Sequence, residues 1–164
     1  MNATSVIRVV IHRLLAILLA VVIGVIIGGQ MGLFSGSRPD GLGVNNGQLK
    51  TAPGKPNCVN SQSLEGYSTI APFNYSGDGR PALARIKSVV EATPVAKIIE
   101  SRPDYFYAEY TSRMLRFVDD VEFYLDEKAG VIQVRSASRL GKKDFGVNRK
   151  RVEEIRAAFS KPTS

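Results

Sequence analysis

Three closely spaced acids and two arginines form the cluster best suited to chemistry in this chain. Asp119, Asp120 and Glu122 lie on one predicted strand, and Arg135 and Arg139 lie on or just after the next one. Paired carboxylates can serve as general acid and base, or can bind a divalent cation. The cluster therefore permits a hydrolase-like enzyme that acts on a charged substrate.

The competing interpretation of the same residues is an internal charge network. Carboxylates on one strand pair readily with guanidinium groups on its neighbour, and nearby arginines favour ion pairing over metal binding. The predicted network consists of Asp119, Asp120, Glu122, Arg135, Arg139 and Arg151. We favour this network over catalysis, assign no catalytic residue, and predict no metal site and no cofactor.

A strongly basic loop precedes the last predicted helix. Residues 139–151 carry six Lys or Arg side chains against one acid, Asp144. Cations in a first helical turn oppose the helix dipole, whereas free amides at a helix start, capped here by Asn148, favour an anion. The predicted anion-binding set is Arg139, Lys142, Lys143, Asn148, Arg149 and Lys150. The arginines have the strand acids as alternative partners, and the lysines are expected to be more exposed.

Histidine and cysteine usage excludes several mechanisms. The only histidine is His12, in the N-terminal apolar region, and the only cysteine is Cys58. The extramembrane part therefore has no histidine base, no Cys/His zinc site and no intramolecular disulfide. We expect Cys58 to be a buried apolar side chain rather than a nucleophile.

The acid and arginine runs are predicted to be two strands of one hairpin. Residues 119–126 and 131–138 alternate in polarity around a turn near Gly130. One register sets Phe123 opposite Val134 on the first face and Glu122 opposite Arg135 on the second. Because the same register satisfies both faces, it is strongly favoured.

The remaining elements predict an α+β fold. Two further strand-like runs cover residues 95–101 and 105–112, and helical periodicity covers residues 81–92 and 148–159. Asp78 is the expected cap of the first of these helices. We predict a four-stranded antiparallel meander with two helices packed on one face, preceded by one transmembrane helix.

The N-terminal apolar run predicts a membrane anchor. No charged residue occurs between Arg13 and Arg38, and about 20 apolar residues suffice to cross the hydrocarbon core. A cleaved signal peptide is the competing interpretation, but the run is long and no small-residue cleavage motif follows it. Basic residues precede the run, which predicts a cytoplasmic N-terminus and a domain on the periplasmic or extracytoplasmic side.

Composition divides the chain into four predicted parts. These are a cytoplasmic N-terminus (1–13), a transmembrane anchor (14–34), a flexible Gly/Pro/Asn-rich linker (35–57) and the α+β domain (58–160).

The formal net charge of +7 favours anionic partners. Beyond the membrane itself, we expect an anionic lipid, an envelope polymer or an acidic protein as partner; the predicted export argues against nucleic acid.

Four ordered segments resemble the domain of unknown function 1499 family. They are Pro56-Asn57-Cys58-Val59, Arg116-Phe117-Val118-Asp119-Asp120-Val121-Glu122-Phe123, Val134-Arg135-Ser136-Ala137-Ser138-Arg139 and Gly146-Val147-Asn148-Arg149-Lys150-Arg151-Val152. The likeness covers roughly residues 55–159. It implies an exported or membrane-associated protein and carries no biochemical activity. The sequence thus favours a non-enzymatic, membrane-anchored envelope domain that binds through residues 139–151.

Overall fold

A long apolar helix, an antiparallel sheet and two further helices make up the protein. The computed structural model describes residues 3–64 and 66–161. The helices are α1 (Ala3–Gln30), α2 (Gly79–Glu91) and α3 (Val147–Phe159). The strands are β1 (Cys58–Asn60), β2 (Phe73–Asn74), β3 (Ala96–Ser101), β4 (Tyr105–Thr111), β5 (Val118–Asp126) and β6 (Val131–Ser138).

The sheet is antiparallel, but it has six strands where the sequence predicted four. Its order is β1-β6-β5-β4-β3, and β2 also pairs with β6. The two added strands have three and two residues, too few to show an alternating pattern in sequence. The predicted hairpin register is confirmed, with Phe123 opposite Val134 and Glu122 opposite Arg135.

Helices α2 and α3 cover one face of the sheet and enclose the main apolar core. Asp78 caps α2 as predicted, since its side chain accepts a hydrogen bond from the amide of Arg80 at 2.9 Å. Phe106 and Phe123 stack with ring centroids 4.7 Å apart. The fully buried side chains from the helices include Ile86, Val90 and Val152. This face is therefore a conventional helix-on-sheet core.

The second face of the sheet is covered by residues 38–50, which we call the strap. Leu49 is only 3% exposed and packs with Tyr105 and Tyr107, with Leu42 and Val44 alongside. The strap is also bonded to the domain: the Leu49 amide donates to the side-chain oxygen of Gln62 at 2.8 Å. The sequence predicted a flexible linker here because these apolar residues are spaced by Gly and Asn without a period. The structure instead holds this segment against the sheet.

Helix α1 is long and apolar enough to cross a membrane. Its span from Thr4 to Gln30 has 27 residues and a mean hydropathy of 2.8 over its most apolar window, none of which is buried in the protein. The C-terminal end of α1 meets the loop between β4 and β5. The side-chain amide of Gln30 donates to the carbonyls of Arg113 (3.2 Å) and Met114 (2.9 Å), and Phe34 stacks on Phe117 at 5.3 Å. These contacts place residues 113–117 at the end of the apolar helix.

Candidate functional site

Glu122, one of the three acids that the alternative enzymatic interpretation would use, lies fully buried beneath the strap. Its Oε1 accepts hydrogen bonds from the Gly43 amide at 2.7 Å and from the Tyr105 hydroxyl at 3.0 Å. Its Oε2 accepts from Nη1 of Arg135 at 3.1 Å. Burial, and secondly the adjacent Glu122 carboxylate, raise the pKa of Tyr105, which therefore stays a neutral donor. Both oxygens of Glu122 are thus occupied by groups of the protein itself.

Asp120 lies beside Glu122 on the same face and is held by Arg139. Nε of Arg139 lies 3.1 Å from both carboxylate oxygens, and the Tyr107 hydroxyl also donates to Asp120. Arg139 reaches Glu109 as well, which receives a second bond from Arg38 of the strap at 2.7 Å. Burial alone would raise the pKa of Glu109, but the hydrogen bonds from Arg38 and Arg139 outweigh it and the pKa is lowered.

Asp119 points to the opposite face of the sheet, as alternation along a strand requires. There it pairs with Nη2 of Arg151 from α3 at 2.5 Å. Nη1 of Arg151 donates to Asn148 at 2.7 Å and to the Ser136 hydroxyl at 3.0 Å. The guanidinium group also lies 4.5 Å from the centre of the Tyr110 ring. This pair ties α3 to the sheet.

All six residues of the predicted charge network therefore find partners within it. Asp119 is separated from Asp120 and Glu122 by the sheet, so the three acids do not converge on one point. Asp120 and Glu122 are both fully buried. A general base must reach its substrate, and these two acids have no appreciable solvent-exposed surface. Among the described residues, no group of three His, Cys, Asp or Glu side chains is arranged to hold a metal ion.

The start of helix α3 already has an anion, which is the side chain of Asp144. Its carboxylate accepts from the amides of Gly146 at 3.0 Å and Asn148 at 2.9 Å. Burial would raise the pKa of Asp144, but these amide bonds outweigh it and the pKa is lowered. The prediction that Asn148 caps the helix was wrong. Gly146 is the N-cap with φ +83°, and Asn148 lies inside the first turn.

Two members of the predicted anion-binding set are fully bonded within the fold. Asn148 is fully buried, and its side chain bonds to Asp144, to Ser138 and to the carbonyl of Asn57. Arg139 is held by Asp120, as described above. Neither side chain is available to a ligand.

The other members of that set divide by how they are bonded. Arg149 donates to the carbonyls of Tyr67 and Thr69 and lies 5.6 Å from the centre of the Tyr67 ring. Lys150 is exposed, and its ion pair among the described residues is a surface pair with Glu154 at 3.8 Å. Lys142 and Lys143 are exposed, and within residues 3–64 and 66–161 neither forms a salt bridge. Three lysines of the predicted set therefore face solvent.

A partly open cavity of about 490 Å³ lies beside the exposed lysines. It is bounded by the β4–β5 loop, the end of β6 and the start of α3. Its apolar lining includes Val95, Phe117, Val118, Leu140, Phe145 and Val147, and its charged lining is Asp119, Lys143, Asp144 and Arg151. Sequence reasoning missed this cavity. The available signal was the pair Leu140 and Phe145, two large apolar residues within an otherwise basic loop.

Cys58 is a buried side chain on β1, as the sequence predicts. It has no exposed surface, and burial raises the pKa of its thiol. The thiolate needed for nucleophilic attack is thereby disfavoured. Cys58 consequently contributes to packing on the strap side of the sheet.

Comparison with known proteins identifies a family and no characterised relative. A family model described as "Protein of unknown function (DUF1499)" matches residues 48–159. The matched segment begins within the strap and ends with α3, so it contains the charge network, the basic loop and the cavity. No curated protein matches the chain.

Proposed function

This chain belongs to the DUF1499 family of proteins of unknown function, and we propose that it is a membrane-anchored binding domain without catalytic activity. Its ligand is an anionic component of the cell envelope, and its contact surface is the loop of residues 139–147. The observation that carries the proposal is that some basic residues are ion-paired within the fold and others face solvent. Arg139 neutralises the buried Asp120 and Arg151 pairs with the partly buried Asp119, whereas Lys142 and Lys143 project into solvent beside the cavity.

The state of the carboxylates supports binding over catalysis. Asp120 and Glu122 are buried and hydrogen-bonded to other side chains, and Glu122 also accepts a hydrogen bond from the strap. A substrate would have to displace the strap and break these bonds before reaching either acid. Leaving one partner of a buried ion pair uncompensated costs about 3–5 kcal/mol, so these pairs are not readily opened to admit a substrate.

The proposed place of binding is the outer side of the cytoplasmic membrane. Helix α1 retains the protein in the cytoplasmic membrane with its N-terminus in the cytoplasm, a proposal supported by Arg8 and Arg13, which lie in α1 on the N-terminal side of its uncharged residues 14–30. The domain then lies on the periplasmic or extracytoplasmic side, within reach of the outer leaflet. Lysines on that side meet lipid headgroups and acidic polymers rather than nucleic acid.

The proposal is tested by removing the two exposed charges of the loop. The full-length protein is reconstituted into nanodiscs of zwitterionic lipid, and binding of soluble polyphosphate is measured by fluorescence anisotropy. Each surface lysine contributes about 1 kcal/mol to attraction by an anionic surface. We therefore expect the double variant Lys142→Gln/Lys143→Gln to bind about 30-fold more weakly, since about 1.4 kcal/mol is tenfold.

The matched control removes the same charge elsewhere. Lys128 is in the β5–β6 turn and Lys161 follows α3, so both lie at the end of the domain opposite the basic loop. The variant Lys128→Gln/Lys161→Gln should bind polyphosphate as the wild-type protein does. Equal weakening by both double variants would mean that net charge alone governs binding, and the loop would lose its assigned role.

A further inference from the structure

The cavity between the β4–β5 loop and α3 has the size and lining of a small-molecule site. Its volume of about 490 Å³ lies within the range of about 300–1,000 Å³ typical of ligand pockets. Its walls are mainly apolar, with Phe117, Leu140 and Val147 contributing side chains. Such a lining favours hydrocarbon over a hydrophilic polymer segment.

The charged groups of the lining do not oppose an anionic ligand. Asp119 is paired with Arg151, and the Asp144 carboxylate is bonded by the amides of α3. Lys143 remains without an ion pair within the described residues, and Lys142 is next to it in the chain. The cavity therefore combines an apolar interior with a cationic rim.

Phe145 is a feature that folding alone does not explain. Its side chain is 96% exposed, and its backbone has φ +54°, a left-handed conformation that costs a bulky residue free energy. Asparagine would adopt this conformation more readily and would not expose an aromatic ring to water. A strained, exposed aromatic side chain at the mouth of an apolar cavity points to a ligand that covers it.

The position of the cavity identifies the source of that ligand. Phe117 forms part of the cavity wall and stacks on Phe34, which follows α1. Gln30, the last residue of α1, is bonded to the carbonyls of Arg113 and Met114 in the same loop. The cavity is thus joined by direct contacts to the end of the membrane-spanning helix, where hydrocarbon chains and headgroups meet water.

We infer that this cavity holds an acyl chain of an anionic lipid drawn from the adjacent leaflet, with the lipid headgroup at Lys142 and Lys143. This inference rests on the proposed function and deepens it, because it assigns the anionic envelope component to the lipids. Leu140, Phe145 and Val147 contact the chain, and the exposed ring of Phe145 closes over it. The domain would then withdraw part of one lipid from the bilayer and present it on the surface.

The inference is tested by photo-crosslinking in a membrane. The full-length protein is reconstituted into nanodiscs that contain a small fraction of phosphatidylglycerol carrying a diazirine at the end of one acyl chain. Crosslinked peptides are then mapped by mass spectrometry. We expect crosslinks in residues 111–118 and 140–147 in addition to those in α1. Crosslinks confined to α1 and residues 31–35 would overturn the inference and would identify ordinary bilayer contact only.

Two variants separate cavity occupancy from general membrane contact. Val147→Trp fills the cavity from a half-exposed position in the first turn of α3, and displacing two methylenes of a bound chain lowers occupancy about tenfold. Phe145→Asn removes the covering ring while suiting the left-handed backbone, so it should lower crosslinking without lowering the melting temperature. Unchanged crosslinking in the folded Phe145→Asn variant and in Val147→Trp would refute cavity binding.

The lipid inference and the proposed function fail in different ways. Polyphosphate binding in zwitterionic nanodiscs depends on Lys142 and Lys143 and does not require the cavity. In one outcome, Val147→Trp and the wild-type protein give the same crosslinks while the Lys142→Gln/Lys143→Gln variant still binds polyphosphate more weakly. That result would contradict the lipid inference and leave the proposed function standing. A phosphatidylcholine probe with the same diazirine tests the role of the headgroup. Equal labelling by both probes would contradict the claim that the cavity selects anionic lipids.

Discussion

At the scale of single residues, the acids of this protein act as fixed hydrogen-bond acceptors. Asp144 shows this most clearly, because its carboxylate bonds to the first amides of α3 at 2.9–3.0 Å and takes the place that a bound anion would occupy. The favourable interaction between a carboxylate and a helix start explains how α3 tolerates Arg149, Lys150 and Arg151 in and just beyond its first turn. The anion at the start of this helix is therefore a side chain of the protein itself.

Substitution Asp144→Asn should destabilise the domain by about 1 kcal/mol at neutral pH, because it removes a negative charge that interacts favourably with the amides and the dipole at the start of α3. A carboxyl group whose pKa is lowered on folding stabilises the protein above its unfolded pKa, near 4, and that contribution is lost as the pH falls through the lower folded pKa. The Asn variant should therefore lose less stability than the wild type on acidification below about pH 4. Urea unfolding followed by circular dichroism at pH 7 and pH 3 measures both effects.

The control for this prediction is an exposed acid. Asp104→Asn, in the turn between β3 and β4, should leave the stability at both pH values close to that of the wild type. Glu109 also has a lowered pKa, so the Asp144→Asn variant should retain part of the acid sensitivity. An Asp144→Asn variant whose stability matches the wild type at both pH values would contradict the capping role.

Residue pairing on the hairpin was predictable because it is a local property. The spacing of Phe123, Leu125, Ile132 and Val134 sets the register, and the register then fixes the partner of Glu122. Asn148 was misassigned for a corresponding reason. Its sequence position suits a cap, but Gly146 in the left-handed region is the N-cap. The side chain of Asn148 instead bonds to two hydroxyls of β6 and to the carbonyl of Asn57, just before β1.

At the scale of elements, the strap is the part of the fold that the sequence did not reveal. Its apolar residues Leu42, Val44 and Leu49 have neither helical nor strand spacing, and their partners lie more than 50 positions later on β4 and β5. Strands β1 and β2 were missed for a related reason, since each is defined only by its pairing with β6. Non-local partners of short segments leave no periodic signal in the sequence.

The packing of the strap predicts how a substitution in it changes stability, and an exposed leucine in the same chain provides a matched control. Leu49→Ala removes a side chain that is 3% exposed and packs on Tyr105 and Tyr107, and should destabilise the domain by about 2–4 kcal/mol. Leu64→Ala changes a leucine that is 95% exposed and should shift stability by less than about 0.5 kcal/mol. Denaturant midpoints of the two variants give the comparison. Equal midpoints would mean that the strap is not part of the folded domain in solution.

At the scale of the whole molecule, the helix and the domain meet at a defined place. Gln30 and Phe34 contact the β4–β5 loop, and the basic loop and the cavity lie on the same side of the domain. Composition was enough to predict α1, because a long uncharged apolar run has few alternatives. The cavity was not predictable, because its walls come from three separate parts of the chain that only the folded sheet brings together.

The proposed orientation predicts a specific protease pattern. In spheroplasts that express the full-length protein with an N-terminal epitope tag, added protease should digest the domain and leave the tag protected. The tag should also remain in the membrane after alkaline carbonate extraction, because an uncleaved helix α1 spans the bilayer. Lysed spheroplasts, in which both sides are accessible, provide the control. Loss of the tag from the mature protein would instead indicate cleavage as a signal peptide.

The strap also determines how the domain responds to mechanical force. Residues 31–57 connect α1 to β1, and the strap, residues 38–50, is the central part of this connection. A pull that separates the domain from the bilayer therefore acts first on the contacts of Gln30 and Phe34 with the β4–β5 loop and then on the strap. Peeling it away would break the Arg38–Glu109 pair and the bond from Gly43 to Glu122 one after another. The sheet, still held by α2 and α3, would bear the load only after the strap had lengthened.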